Sequence, residues 1–466
     1  MSFAVGTKQD IVIGVIVTDR VAGLSRLLAS LEPVAHDPNV HVIVLDNGSK
    51  PSEISRLVIA ANSGARGQRS CVPGRREGAP LHENRVQLSV CIADWAKDRG
   101  LAKPIVWMID DDLTFERLKM FSGYLVCQNV AGSRMAQVRE LAKNDRCDLL
   151  VSGFTGDAPV RPNAVISCQL GDLRAELERL VAADPASYYI GKDVDPALYI
   201  GDYYYSHTEE RSLKSAQPYP WLVRPEAGSS VTDQLVTMLG AAQGIELGRG
   251  VFRPLLEERD SDTLCINDSL APNRGGNAVF FGLEPLLAHH YPAFSVGEGY
   301  SRRSDMVGST LLAKKSGYRV AEGNLSLLHD RRDQEAITAH PGEWLREFAG
   351  VMLSRLVMQG VPSDRSSVDY LKSVAEDRAH RIQIDARRIV TEVEQTLSTL
   401  DQTAAIWWKC HRCRPLVRPL RSSLTRIQHT FGDACRQQIF EKLSADDVLQ
   451  SVSQAYAHLD KRRFVW

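Results

Sequence analysis

The chain has almost no net charge. Its 56 lysines and arginines meet 57 aspartates and glutamates, for a formal charge of −1. That balance argues against a protein that holds nucleic acid or an anionic membrane by bulk electrostatics. Long hydrophobic runs are also missing: no stretch approaches the roughly 20 apolar residues that a membrane-spanning helix needs. The opening MSFAVGTKQDIVIGVIVTDR has no basic segment followed by a small-residue cleavage site. Its apolar run is short and broken by Gly14 and Thr18, so it reads as a strand, not a secretory signal. There are 9 cysteines, an odd count, and Cys71, Cys91, Cys127, Cys147, Cys168 and Cys265 are scattered singly. In a chain of 466 residues this excludes a disulfide framework as the main source of stability. Reduced thiols and a cytoplasmic location are the expectation. Internal repeats and low-complexity tracts are absent too.

What remains is an ordinary globular composition, 44% hydrophobic and 24% charged, long enough for two or three domains. Its first part alternates strand and helix signals. DIVIGVIVTD and NVHVIVLDNGS are β-branched runs, and KPIVWMIDDD is another. Between them GLSRLLASLEPV, SEISRLVIAAN and ENRVQLSVCIADWAKDRG carry helical spacing. Such alternation predicts a doubly wound, mostly parallel sheet, in which ligands bind at the carboxyl ends of the strands. From about 120 to 270 the pattern weakens and reads as an inserted region. GSRMAQVRELAKND and LGDLRAELERLVAA are its clearest helices, CDLLVSGFTGDAPV a strand and turn, and DYYYSHTEERS an aromatic loop. Order returns with GGNAVFFGLEPLL, a helix starting near Arg303–Asp305, and the strand GNLSLLH. Beyond about 340 only helices are predicted. The expected division is therefore 1–335, an α/β domain with its insertion, and 336–466, an all-helical extension.

The unusual local feature is WMIDDDLTF. A buried strand ends in three consecutive carboxylates, Asp110, Asp111 and Asp112, although like charges repel and strands disfavour aspartate. A divalent cation would relieve the repulsion. Hard carboxylate oxygens suit Mg²⁺ or Mn²⁺, which in turn bind diphosphate. Side chains two apart in an extended chain share a side, so Asp110 and Asp112 can face one ligand while Asp111 points elsewhere. The alternative is a solvated turn in which Asp112 caps a following helix.

The order of these pieces resembles a GT-A fold glycosyltransferase of the family 2-like kind. The resemblance rests on VIVTDRVAGLSRLLASL, on VIVLDNGS, on WMIDDDLTF as a DXD motif, and on GGNAVFF, RRSDMVGSTLLAKKSGYRV and LLH in that order. It covers roughly residues 8–118 and 272–332. It implies a GT-A-like fold and a metal-dependent transfer of a sugar from a nucleotide-diphosphate sugar, UDP-linked by first expectation, to an unidentified acceptor. It also implies roles. Thr18, Arg20 and Asp46 would meet the nucleoside, with Asn84 and Arg85 opening the next helix. Asp110 and Asp111 would serve the donor together with Gly275, Gly276, Asn277 and Arg303. Asp110, Asp112 and His329 would hold Mn²⁺ or Mg²⁺, and Asp305 would activate the acceptor, with Glu298 as a competing base. Arg302, Arg303, Arg331 and Arg332 are further basic candidates, placed to stabilise charge that develops on a leaving diphosphate.

Each of these residues also has a structural reading, as a turn former, a helix cap or a solvated charge. Two other functions compete. A sugar nucleotidyltransferase would want a glycine-rich, lysine-containing loop after the first strand, and VTDRVAGLSR has only Gly23 and no lysine. A non-catalytic nucleotide-binding scaffold would bind partners through the helical tail, which could equally mediate homo-oligomer contacts. In that tail Cys410, Cys413, His429 and Cys435 are either a Cys₃His zinc site or free thiols on a helix.

Overall fold

The structure is a computed structural model that describes residues 9–48, 51–74, 78–121, 124–157, 162–182, 230–249, 254–255, 266–267, 276–332, 341–404, 410–436 and 446–461. Gly275 and the DYYYSHTEERS segment lie outside the described residues. The predicted mostly parallel sheet is present. Strands β1 (Ile11–Val17), β2 (Val40–Asp46), β3 (Arg69–Pro73) and β4 (Ile105–Asp110) are mutually parallel, in the order β3-β2-β1-β4. The sheet continues through β10 (Asn277–Phe281), β8 (Leu149–Gly156) and β13 (Val320–His329). β10 runs antiparallel to both neighbours, and β8 and β13 are parallel. A two-residue strand β5 (Leu113–Thr114) closes this edge against β13. The carboxyl ends of β1, β2, β4, β8 and β13 and the amino end of β10 therefore share one rim.

Helices cover both faces, as alternation of side chains along β1 requires. Ile11, Ile13, Val15 and Val17 pack with Leu24 and Leu27 of α1 (Val21–Ser30), Ile54 and Val58 of α2 (Pro51–Ser63), and Met135 and Val138 of α4 (Ala131–Asn144). Val12 faces the other way. It joins Leu88 and Ile92 of α3 (Leu81–Asp98), Leu286 of α7 (Leu283–Ala288) and Leu312 of α8 (Ser304–Ser316). A third core is mostly helical. It unites α5 (Pro162–Ala182) and α6 (Val231–Ala242) with α9 (Pro341–Gln359), α10 (Ser367–Gln402), α11 (Arg414–Arg436) and α12 (Asp446–Lys461). No helix among the described residues is long and apolar enough to cross a membrane.

Several expectations need correction. The supposed insertion is not a separate piece: β8 lies inside the main sheet, and α4 covers that sheet. Its α5 and α6 instead pack with the tail helices, so no seam separates 1–335 from 336–466 in the hydrophobic core. β3 and the hairpin of β6 (Glu116–Phe121) with β7 (Tyr124–Asn129) carry no clean alternation and escape a sequence reading. Cys410 and Cys413 lie in a turn ahead of α11. His429 is 16 residues along the chain from Cys413, about 24 Å at a helical rise, and Cys435 is farther still. The Cys₃His zinc arrangement is thus excluded by helix geometry.

Asn277 also departs from its expected donor-binding role. It is fully buried, and all its polar atoms are used within the sheet. Its Nδ2 donates to the carbonyls of Gly153 (3.0 Å) and Leu325 (2.9 Å), and its Oδ1 accepts from Trp107 Nε1 (2.8 Å). The register of β13 shifts between Gly323 and Leu327. A bulge of this kind takes a residue out of the ladder, and Asn277 satisfies the Leu325 carbonyl there. Asn277→Ala leaves two buried groups and one half-buried carbonyl without this partner and should cost about 3 kcal/mol. A drop in the urea midpoint with unchanged slope is the expected result, and a wild-type midpoint would refute the assignment.

Candidate active site

At the shared rim the three aspartates diverge, as an extended chain dictates. Asp110 and Asp112 line a cavity of about 600 Å³, while Asp111 does not. Each carboxylate meets a different cation. Asp110 Oδ1 accepts from Arg85 Nη2 of α3 at 3.0 Å. Asp111 Oδ1 accepts from Arg20 Nη1 at 3.0 Å, behind the cavity wall. Asp112 Oδ2 lies 3.3 Å from both Arg20 Nη1 and His329 Nε2. Gly276 lines the foot of the site, where a Cβ would push Asp110 Oδ2 out of its place.

These partners set the protonation of the cluster. Burial pushes Asp111 up to about 7, with Asp112 and Asp110 adding to the rise and Arg20 opposing it. Removal from solvent also raises Asp110, and the carboxylates of Asp112 and Asp305 push the same way against Arg85. Burial would raise Asp112 as well, but His329, Arg20 and Arg331 outweigh it and hold the group well below the usual range. His329 moves oppositely: burial lowers it, and the attraction of Asp112 more than reverses that.

His329 is oriented from behind. Its Nδ1 donates to the Asp157 carbonyl at 2.7 Å, which leaves Nε2 toward Asp112. Asp157 clamps the same segment twice more: its N–H donates to the His329 carbonyl (2.9 Å), and its Oδ2 accepts from Arg331 N–H (2.8 Å). A sequence reading missed Asp157, whose only signal was an acid just past the carboxyl end of a predicted strand.

The opposite wall comes from α8, the helical layer and a hairpin of β11 (Ser295–Val296) with β12 (Gly299–Tyr300). Asp305 lines the cavity from the first turn of α8; its Oδ1 accepts from Met306 N–H, and its Oδ2 stands 3.6 Å from Arg85 Nη1. Arg85 therefore bridges Asp110 and Asp305, and its guanidinium lies 5.4 Å from the Tyr291 ring centroid. Glu298 is an exposed lining residue on the hairpin turn. Arg303 also lines the cavity, but its Nε and Nη2 donate to Glu347 Oε1 of α9 at 2.9 and 2.8 Å. It sits at φ +69°, an uncommon conformation for a non-glycine residue. Sequence reasoning also missed Glu347 and Arg346, which reach the cavity from α9, and the ring pair of His82 and Tyr300, whose centroids are 4.7 Å apart.

Thr18, Arg20, Asn84 and Asp46 join Asp111 and Asn277 outside this cavity. Thr18 and Arg20 follow β1, where Thr18 accepts from Asn47 Nδ2 at 3.4 Å. Asn84 turns inward and donates to the Ala79 carbonyl at 2.8 Å, so of the Asn84–Arg85 pair only Arg85 reaches the cavity. Asp46 ends β2; its Oδ1 accepts from Gly48 N–H at 3.0 Å, and its buried Oδ2 has no hydrogen-bond partner. A buried carboxylate oxygen left so is costly unless a ligand supplies a donor. Arg332 is occupied by Asp330, to which its Nε donates at 2.6 Å.

The donor set fits a hard divalent cation through Asp112 and His329, whose facing atoms are 3.3 Å apart. Among the described residues no three His, Cys, Asp or Glu side chains form a complete cage. Two protein ligands with the remaining positions open is the usual arrangement where substrate phosphates complete the shell.

No protein-family model matches the chain, and no curated protein matches it in sequence. Solved structures similar to it include a mannosyltransferase, PcManGT from Pyrobaculum calidifontis, in complex with GDP-Man and Mn²⁺. It is 10% identical, with a TM-score of 0.36 over 98% of this chain and 89% of that one. Residues 1–349 of S. aureus TarS align at 10% identity and a TM-score of 0.31, over 98% of this chain and 93% of that one.

The His329–Asp112 pair has a pH signature in the metal-free protein. The raised histidine stabilises the fold fully below its ordinary 6.5, and that contribution is lost as pH rises through the folded value. The depressed aspartate stabilises it above its ordinary 3.8, and that contribution is lost as pH falls through the folded value. The pair thus contributes most between about pH 4 and 6.5. Urea unfolding of wild type and His329→Ala at pH 5.5 and 8.5, in chelator, should give the larger stability difference at 5.5. A difference that grows at 8.5 would contradict the pairing.

Proposed function

We propose that the chain is a metal-dependent glycosyltransferase that moves a sugar from a nucleoside-diphosphate sugar to an acceptor hydroxyl. The observation that carries this reading is the convergence on one cavity of Asp110, Asp112, His329 and Asp305, drawn from two strand ends and a helix start. The cavity size is in the usual range for a small-molecule site.

In this reading Asp112 and His329 would hold a divalent cation, which would supply Lewis-acid charge to the leaving diphosphate. Arg331, beside His329 on the cavity wall, adds a fixed positive charge on the same side. Asp110, anchored by Arg85, accepts hydrogen bonds from the donor's ribose. The buried Oδ2 of Asp46 accepts from the nucleoside. Asp305 takes the proton of the acceptor hydroxyl, and Arg85 orients it for an attack that inverts the sugar's configuration. Asp305 is preferred to Glu298 as the base because it is recessed and held by a hydrogen bond from Met306 N–H and an ion pair with Arg85, whereas Glu298 is exposed on a hairpin turn.

Asp110→Asn and Asp112→Asn should each lower transfer by on the order of 100-fold or more without loss of folded signal. Full activity of both variants, together with activity in excess EDTA, would sink the proposal. A thermal-shift panel of UDP- and GDP-sugars should find a donor that raises Tm in Mn²⁺ and not in EDTA, by about 2.7 kcal/mol of stabilisation at 100 times Kd. In the same panel Asp46→Asn should weaken the donor's shift while leaving that of Mn²⁺ alone unchanged.

A further inference from the structure

Outside the catalytic cavity, the turn that opens α11 brings together two thiols that the proposed reaction does not use. Cys410 and Cys413 are free cysteines, the first partly exposed and the second buried in the helical core. The turn is closed by Cys413 N–H donating to the Cys410 carbonyl at 3.2 Å, and Arg414 N–H shares that acceptor at 3.2 Å. In an i to i+3 turn of this kind the Cα atoms are less than about 7 Å apart, within the usual span of a disulfide. Cys413 N–H also reaches the Cys410 sulfur at 3.3 Å, so the sulfur is turned back over the turn toward its partner residue.

We propose that Cys410 and Cys413 form a reversible dithiol–disulfide site that exchanges with low-molecular-weight disulfides of the glutathione class. Cys410 is the attacking thiol because it is the one that solvent reaches. Its thiolate displaces one thiol from the small disulfide and forms a mixed disulfide. Cys413 then attacks the Cys410 sulfur, releases the second small thiol and closes the Cys410–Cys413 bond. The net change is one dithiol oxidised to a disulfide and one small disulfide reduced to two thiols, with the two protons passing to the released thiols.

The electrostatics agree with that order of events. Partial burial alone would raise the Cys410 thiol. Hydrogen bonds from the Cys413 thiol and from the Cys413 and Arg412 N–H groups, with the Arg412 charge, bring it below its ordinary value. Burial and the neighbouring Cys410 push Cys413 up to about 12, which keeps it protonated until a mixed disulfide forms beside it. Cys127 is a built-in control. It is exposed, yet burial of its sulfur, then Glu116 and Asp330, push its thiol up to about 11. Exposure alone therefore does not make a reactive cysteine in this chain.

The test equilibrates the full chain with mixtures of reduced and oxidised glutathione, traps free thiols by alkylation in acid, and maps cysteines by mass spectrometry. A Cys410–Cys413 linkage is expected to appear as the oxidised fraction rises and to vanish with excess reduced glutathione. Cys413→Ala should accumulate the mixed disulfide at Cys410, and Cys410→Ala should show none at Cys413. In the reduced protein iodoacetamide should label Cys410 roughly tenfold faster than Cys127 at pH 7. No linkage when glutathione is mostly oxidised would overturn the proposal. So would equal trapping in the two variants, or one zinc ion retained at the pair after dialysis. The wild-type linkage is scored independently of how either variant folds.

Discussion

Three adjacent carboxylates can share one strand end only because each is given its own positive partner. Asp110 takes Arg85 from α3, Asp111 takes Arg20 from the loop after β1, and Asp112 takes His329 from the end of β13. The arrangement separates their protonation: Asp112 is held low, Asp111 is pushed up to about 7, and Asp110 is also raised. Breaking the Asp112–His329 pairing would leave a charge in a recess with little water, which costs more than the pair itself contributes. The rim is built around this constraint.

Two buried polar residues keep the rim in register. Asn277 ties β4, β8 and β13 together across the shifted pairing of β13, and Asp157 holds the ring and backbone of His329 and the backbone of Arg331 by three hydrogen bonds. Neither touches the centre of the cavity as a donor of chemistry. Both set distances there, because the placement of His329 depends on the end of β8 as much as on its own strand. The helical layer completes the enclosure. Glu347 of α9 fixes Arg303 in its strained backbone, so the far wall depends on a helix that packs with the tail core.

Much of the sheet could be read locally. Runs such as IVIGVIV and VHVIVLD are β-branched and buried on both faces, and the helices between them carry apolar residues at helical spacing. The DDD cluster at the end of β4 lies at the rim where the cavity opens, and the division of Asp110 and Asp112 from Asp111 follows from the pleat alone. The reading failed where local signals mislead. Asn277, next to a glycine at a strand start, resembled a ligand contact and is instead a cross-strand brace. The weak pattern after residue 120 resembled an insertion. It contains β8, which is paired on both sides by strands more than 100 residues away in sequence.

By itself, then, the sequence determined the strand and helix identities, the open carboxylate cluster at a strand end, and the absence of any charge surplus or long apolar span. Those properties depend on side-chain alternation, helical spacing and composition, which act over a few residues. Only the tertiary structure decided which cation meets which aspartate, that Asp157 and Asn277 are supports, and that α9 lines the cavity. It also turned Cys410 and Cys413 from possible zinc ligands into a facing pair ahead of a helix. These outcomes rest on contacts between residues up to about 200 positions apart, such as Asp112 with His329, and no local pattern encodes such a meeting.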